Sequence, residues 1–69
     1  MQRTYPLETW IAKNGVEPDE MWAIACDDCG RTLKEGWGDE LYEWVMSRGH
    51  NKYTCPHCGG YELLAVYQP

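Results

Sequence analysis

No stretch of this 69-residue chain stays apolar for the ~18–20 residues that a membrane-crossing helix requires. The opening Met1-Gln2-Arg3-Thr4-Tyr5-Pro6 also lacks the apolar run of a secretory signal. The expectation is a soluble chain that remains in the cytoplasm and off membranes. Basic residues are few: six Lys and Arg stand against eleven Asp and Glu, a net charge of −5. Phosphate backbones are neutralised by clustered cations, so free-standing nucleic-acid binding is disfavoured. No GxSxG, HExxH, P-loop or GxGxxG sequence occurs, and nothing assembles a nucleophile, a base and an oxyanion hole. The chain reads as no enzyme. Phenylalanine is absent altogether, and there is no repeat or low-complexity tract.

What is present is unusual for so short a chain: four Trp, five Tyr and four Cys. A domain of this size buries only ~60% of the surface that its unfolded form exposes. Aromatics supply a large buried area per residue, but below ~70–80 residues a domain usually also needs a staple.

The cysteines are the candidate staple. They fall as Cys26-Asp27-Asp28-Cys29-Gly30 and Cys55-Pro56-His57-Cys58-Gly59-Gly60, a C-x2-C pattern used twice with 25 residues between the pairs. A two-residue gap lets two thiolates converge on one tetrahedral ion while backbone N–H groups point at the sulfurs. Glycine after the second cysteine suits the tight backbone there, and Pro56 fixes φ inside the second pair. Four thiolates complete a closed site of one Zn²⁺ per chain; iron is the alternative, since a thiolate tetrahedron suits either. A disulfide framework needs an oxidising compartment. A thioredoxin-like pair needs a helix N-terminus in a βαβ setting, whereas here each pair runs into Gly and strand-like residues.

With these knuckles, residues 21–69 resemble a zinc ribbon of the rubredoxin-like class, as found in small prokaryotic and phage proteins. That resemblance implies an α+β fold: short antiparallel strands around two zinc knuckles, one helix inserted between them, and a short N-terminal extension. It also implies a structural metal held by Cys26, Cys29, Cys55 and Cys58. Zinc ribbons recur in transcription, RNA and replication machinery. Rubredoxins, iron electron carriers, share CxxCG and CPxCG but carry mostly loop where this chain places a helix.

Along the chain, residues 1–20 read as an extension packing on the core of a 21–69 domain. Leu7, Trp10 and Ile11 recur at helical spacing, with Pro6 suited to a first position and Gly15 to a stop, so a short helix is expected over roughly 6–14. Asn14-Gly15 is equally a hairpin signal. Residues 16–20 form a polar linker. Strands are expected at 21–26, 31–34, 52–55 and 61–67, with Gly36-Trp37-Gly38 breaking the pattern. A helix is expected from Asp39 to about Arg48, with acids in its first turn and Gly49 as its stop.

That second helix carries too much apolar surface for one core. Leu41, Trp44, Val45, Tyr42 and Met46 span about 200° of its circumference, against a usual stripe of ~100°. Leu41, Trp44 and Val45 are expected to face the core. Tyr42 and Met46 are either covered by Leu7, Trp10 and Ile11 or form a partner-binding edge.

The remaining chemistry is weaker. His57 lies between two ligands of an already filled shell and reads as an exposed knuckle side chain; His50 can bond terminal helix carbonyls. Residues 1–30 hold two cations against six anions, and four thiolates with Zn²⁺ take the folded charge to about −7. Arg31, Lys34, Arg48 and Lys52, with Trp37 or Tyr53 as a stacking platform, are the one set through which nucleic acid could bind. The sequence therefore points first to a non-enzymatic module that docks on a protein partner, with transcription and nucleic-acid complexes as its expected setting. A nucleic-acid-binding ribbon and an iron electron carrier are the alternatives.

Overall fold

The computed structural model describes residues 3–17 and 19–69; Met1, Gln2 and Pro18, the last within the expected linker, lie outside the described residues. The elements run β1 (Thr4–Pro6), α1 (Leu7–Ala12), β2 (Met21–Cys26), β3 (Thr32–Trp37), α2 (Gly38–Met46), a 3₁₀ turn (Gly49–Asn51) and β4 (Leu63–Tyr67). No helix among them is long and apolar enough to cross a membrane.

The strands form one antiparallel sheet in the order β1-β4-β2-β3. β4, the last element in sequence, lies inside the sheet between β1 and β2. Alternation places Trp22, Ile24 and Cys26 of β2 on one face, in register with Tyr67, Ala65 and Leu63 of β4. On this face the core forms, with Leu7, Trp10 and Ile11 from α1 and Leu41 and Val45 from α2. Residues 4–12 thus contribute one strand to the sheet and three side chains to the same core as residues 21–69.

Trp22 is the centre of that core. Fully buried, it has Tyr5, Trp10 and Tyr67 around it at ring-centroid distances of 6.0, 5.9 and 5.5 Å. Its indole N–H donates to the Glu17 carbonyl at 3.1 Å. The Arg3 guanidinium stacks 4.0 Å from the Tyr67 ring and pairs with Glu20 at 2.7 Å. That hydrogen bond is the main reason the Glu20 carboxyl sits below its ordinary value; partial burial opposes it, and the Tyr67 hydroxyl and the Arg3 charge add to it.

Several local expectations are corrected. Asn14 and Gly15 do not turn a hairpin. They stop α1 in the left-handed region, at φ 56° and 81°, with the Gly15 N–H donating to the Trp10 carbonyl. A Cβ on Gly15 would also crowd the Gly38 carbonyl at 3.3 Å. β1 went unread because three residues are too few to show alternation. β3 continues through Gly36 and Trp37 because β2 pairs with it as far as Met21 opposite Trp37. Residues 52–55 are not a strand: the chain turns there, and the Arg48 side chain binds the Thr54 carbonyl at 2.8 Å. Tyr61 and Glu62 precede β4 rather than join it. The second knuckle therefore lacks a strand on its entering side. The fold is a small α+β structure with four antiparallel strands, in which the β2–β3 hairpin carries the first knuckle.

α2 buries Leu41 and Val45 and half-buries Trp44 and Tyr42, whereas Met46 stays 44% exposed. The N-terminal residues do not cover Met46; Leu7, Trp10 and Ile11 spend their surface on the core instead.

Trp22→Ala is expected to cost about 3–5 kcal/mol, comparable with the whole net stability of about 5–15 kcal/mol of a domain, measurable by denaturant unfolding. Glu20 supplies a second test. Its folded pKa is depressed, so the Arg3 pair stabilises above the unfolded carboxylate range and is lost as pH falls through the folded value. In Arg3→Ala the Glu20 titration followed by NMR should move up toward 4.5.

Candidate metal centre

Two backbone turns of the same construction deliver the four sulfurs. In the first, the Cys26 N–H donates to the Arg31 carbonyl at 2.8 Å and the Gly30 N–H to the Cys26 carbonyl at 2.8 Å. In the second, the Cys55 N–H donates to Gly60 at 2.8 Å and the Gly59 N–H to Cys55 at 2.9 Å. Gly30 and Gly59 share φ 75°, a value that residues with a Cβ rarely adopt. β2 fixes the first knuckle. The second is held by the Arg48–Thr54 contact before it and by β4 after it.

The knuckles also touch each other directly. The Asp27 N–H donates to the Glu62 carbonyl at 2.7 Å. The Asp28 carboxylate lies over Gly60, where a Cβ would push that exposed side chain aside.

The sulfurs converge on one point. Cys26 Sγ lies 3.6 Å from Cys58 Sγ, and Cys29 Sγ lies 3.8 Å from Cys55 Sγ. All four ligand atoms fall within 4.8 Å of one another, and the cysteines are free of disulfides. A tetrahedron with metal–sulfur bonds of about 2.3 Å has edges of about 3.8 Å, so the two close contacts match opposite edges of such a shell. Each pairs a buried sulfur residue, Cys26 or Cys55, with an exposed one from the other knuckle. The four cysteines are thus positioned to bind a single metal ion.

Backbone donors are already aimed at the sulfurs. The N–H groups of Cys29 and His57 reach Cys26 Sγ and Cys55 Sγ at 3.4 Å each. Those of Arg31, Cys58 and Gly60 serve Cys29, Cys55 and Cys58. Their effect is clearest at Cys55. The Cys58 N–H is the largest influence, and with help from His57 and the neighbouring sulfurs it outweighs burial and lowers the thiol to about 6. At Cys58 the Gly60 N–H pulls downward but is outweighed by Cys26, burial, Cys55 and Cys29, leaving the thiol at about 12. Cys29 is likewise raised, its Arg31 donor overcome by burial and by Cys26 and Cys55. Four sulfurs this close do not all ionise without a cation between them. A divalent ion removes that conflict, so the donor set fits a metal.

The side chains of the other residues that the sequence points to are not part of this cluster. His57 and His50 are both exposed. Arg31 and Lys34 belong to the β2–β3 hairpin, while Arg48 and Lys52 follow α2. Arg48 is committed internally, its guanidinium 5.1 Å from the Trp44 ring and bonded to Thr54. Lys52 Nζ lies 5.3 Å from the Tyr53 ring, and Trp37 is 51% exposed. The backbone donors went unnamed residue by residue in the sequence, although the glycines after each knuckle were their signal. Asp28 against Gly60 gave no signal there.

No family model matches this chain, and no curated protein or solved structure matches it. The class of the centre rests on its geometry alone: a closed site of four cysteines in a small α+β fold.

Stripping the metal with a strong chelator should collapse the dispersed NMR spectrum, and Cys55→Ser should do the same without chelator. Both follow from the cluster joining the β2–β3 hairpin to the segment that leads into β4.

Proposed function

We propose that the ion is zinc, that its role is structural, and that the chain acts without catalysis as a module docking on a protein partner. The observation that carries this reading is the closed four-sulfur cluster. Four thiolates fill a tetrahedral shell, whereas a catalytic zinc keeps an open position. Cys26, Cys29, Cys55 and Cys58 would hold the ion, which would supply folding free energy. Structural zinc in small peptides is worth ~10–16 kcal/mol, at least as much as the net stability of such a domain. Reduced thiols of this kind suit a reducing compartment such as the cytoplasm.

The docking part is supported by the charge of −5 and by apolar side chains left in solvent, Met21, Trp37 and Met46 among them. Of the α2 pair assigned to a partner, Met46 is free to serve while Tyr42 also packs on the core. Transcription and nucleic-acid assemblies, where the resembling ribbons recur, are the first place to seek the partner.

Expression with both metals supplied tests the ion. The expected product is colourless, with one zinc per chain by elemental analysis. A red protein with native iron and reversible one-electron chemistry would replace this reading with the electron-carrier alternative.

A further inference from the structure

The two faces of the sheet are unequally covered. α1, α2 and the whole core lie on the face of Trp22, Ile24 and Ala65. The opposite face carries Met21, Ala23 and Ala25 of β2, Leu64 and Val66 of β4, and Trp37 of β3, as the register dictates: Ala23 opposes Val66, Ala25 opposes Leu64 and Met21 opposes Trp37. None of these six belongs to the core cluster or packs against it. An antiparallel sheet with one face in water normally reads polar on that face. Here the two inner strands are apolar on both faces, while the outer strands add Thr4, Thr32 and Glu35 to this one. Met21 and Trp37 stand 38% and 51% exposed at one end, Ala25, Leu64 and Val66 are half-buried, and Ala23 is 4% exposed.

Among the described strand residues, the charge on this face is acidic. Glu35 opposes Ala23 on the same side. Pro6 and Leu64, at the other margin, also line an open groove of about 370 Å³ that holds Glu8 and Glu62. The nearest strand cation, Lys34, opposes Ile24 and so belongs to the core side. Arg3 is taken up by Glu20 and Tyr67.

We propose that this outer sheet face binds an amphipathic helix of a partner protein, with an apolar stripe against Met21, Trp37 and Val66 and Lys or Arg residues along its flanks. The proposal rests on the protein-docking reading and names the partner's chemistry. The apolar stripe of a helix is one of the surfaces that packs on a sheet face. Four strands about 4.8 Å apart and up to six residues long present a face of roughly 20 by 20 Å, enough for one helix about 10 Å wide. A second copy is a poorer occupant. Two chains of −5 repel. A basic stripe reverses that repulsion.

The test uses metal-loaded, ¹⁵N-labelled protein and three peptides of about 14 residues. One has Leu at i, i+3, i+4 and i+7 with Lys elsewhere; one replaces Lys by Glu; one shuffles the Leu/Lys order. The expected result is saturable shifts at Ala23, Ala25, Leu64, Val66 and the Trp37 indole with the first peptide, and little with the others. Met21→Ser with Trp37→Ser, both exposed, should weaken binding about tenfold or more, while His50→Ala, at an exposed position after α2, leaves it unchanged. No binding by a folded, metal-loaded protein overturns the proposal, as does equal binding of the shuffled peptide. Concentration-dependent dimerisation through the same residues overturns it in favour of a second copy. Shifts gathered around Met46 overturn it but keep the docking reading. Nucleic-acid binding at physiological salt, lost on removing Arg31 and Lys34, overturns the docking reading itself.

Discussion

Two short turns, 25 residues apart in sequence, must meet at one point. Around that meeting β2 and its hairpin partner β3 are fixed to the segment that becomes β4, so the sheet, and the core laid on it, inherit their register from the cysteines. The backbone shapes the site: matched glycines at φ 75° fold each turn, and N–H groups face the sulfurs. Four sulfurs within 4.8 Å of one another conflict unless a positive charge lies between them. That conflict is local, but its resolution is felt throughout a chain too short to compensate elsewhere.

The centre was legible in the sequence because its grammar is local. A CxxC followed by glycine describes one turn, and two such turns in a short chain imply their convergence. The helix α2 and the strand β2 were legible for a similar reason, their periods being long enough to read. β1 was not, and neither was the turn before Cys55. There Lys52-Tyr53-Thr54 has strand-like composition, but Arg48 reaches across from the end of α2 to bind the Thr54 carbonyl and hold a bend. A tertiary contact overrides local preference, and no window of neighbouring residues reports it.

The apolar arc of α2 shows a different limit. Its width correctly implied more hydrophobic surface than one contact absorbs, yet the sequence could not say which residues would be left over. Tyr42 is drawn partly onto the core, and Met46 is not. The alternation in β2 was equally uninformative about sides, because its outward residues are apolar too. Only the register with β3 and β4 separates Trp22 and Ile24, which face the two helices, from Ala23 and Ala25, which face away from them.

β4 comes last in sequence and sits inside the sheet, between β1 and β2. During synthesis, β1 therefore has no strand to pair with until β4 has left the ribosome, and Trp22 cannot receive Tyr67. The β2–β3 hairpin and its knuckle can form early, holding two sulfurs in waiting. Everything else arrives together, when β4 slides into the gap and the second knuckle closes over the first. A sheet built this way stays incomplete until its last strand arrives and then closes in a single long-range step.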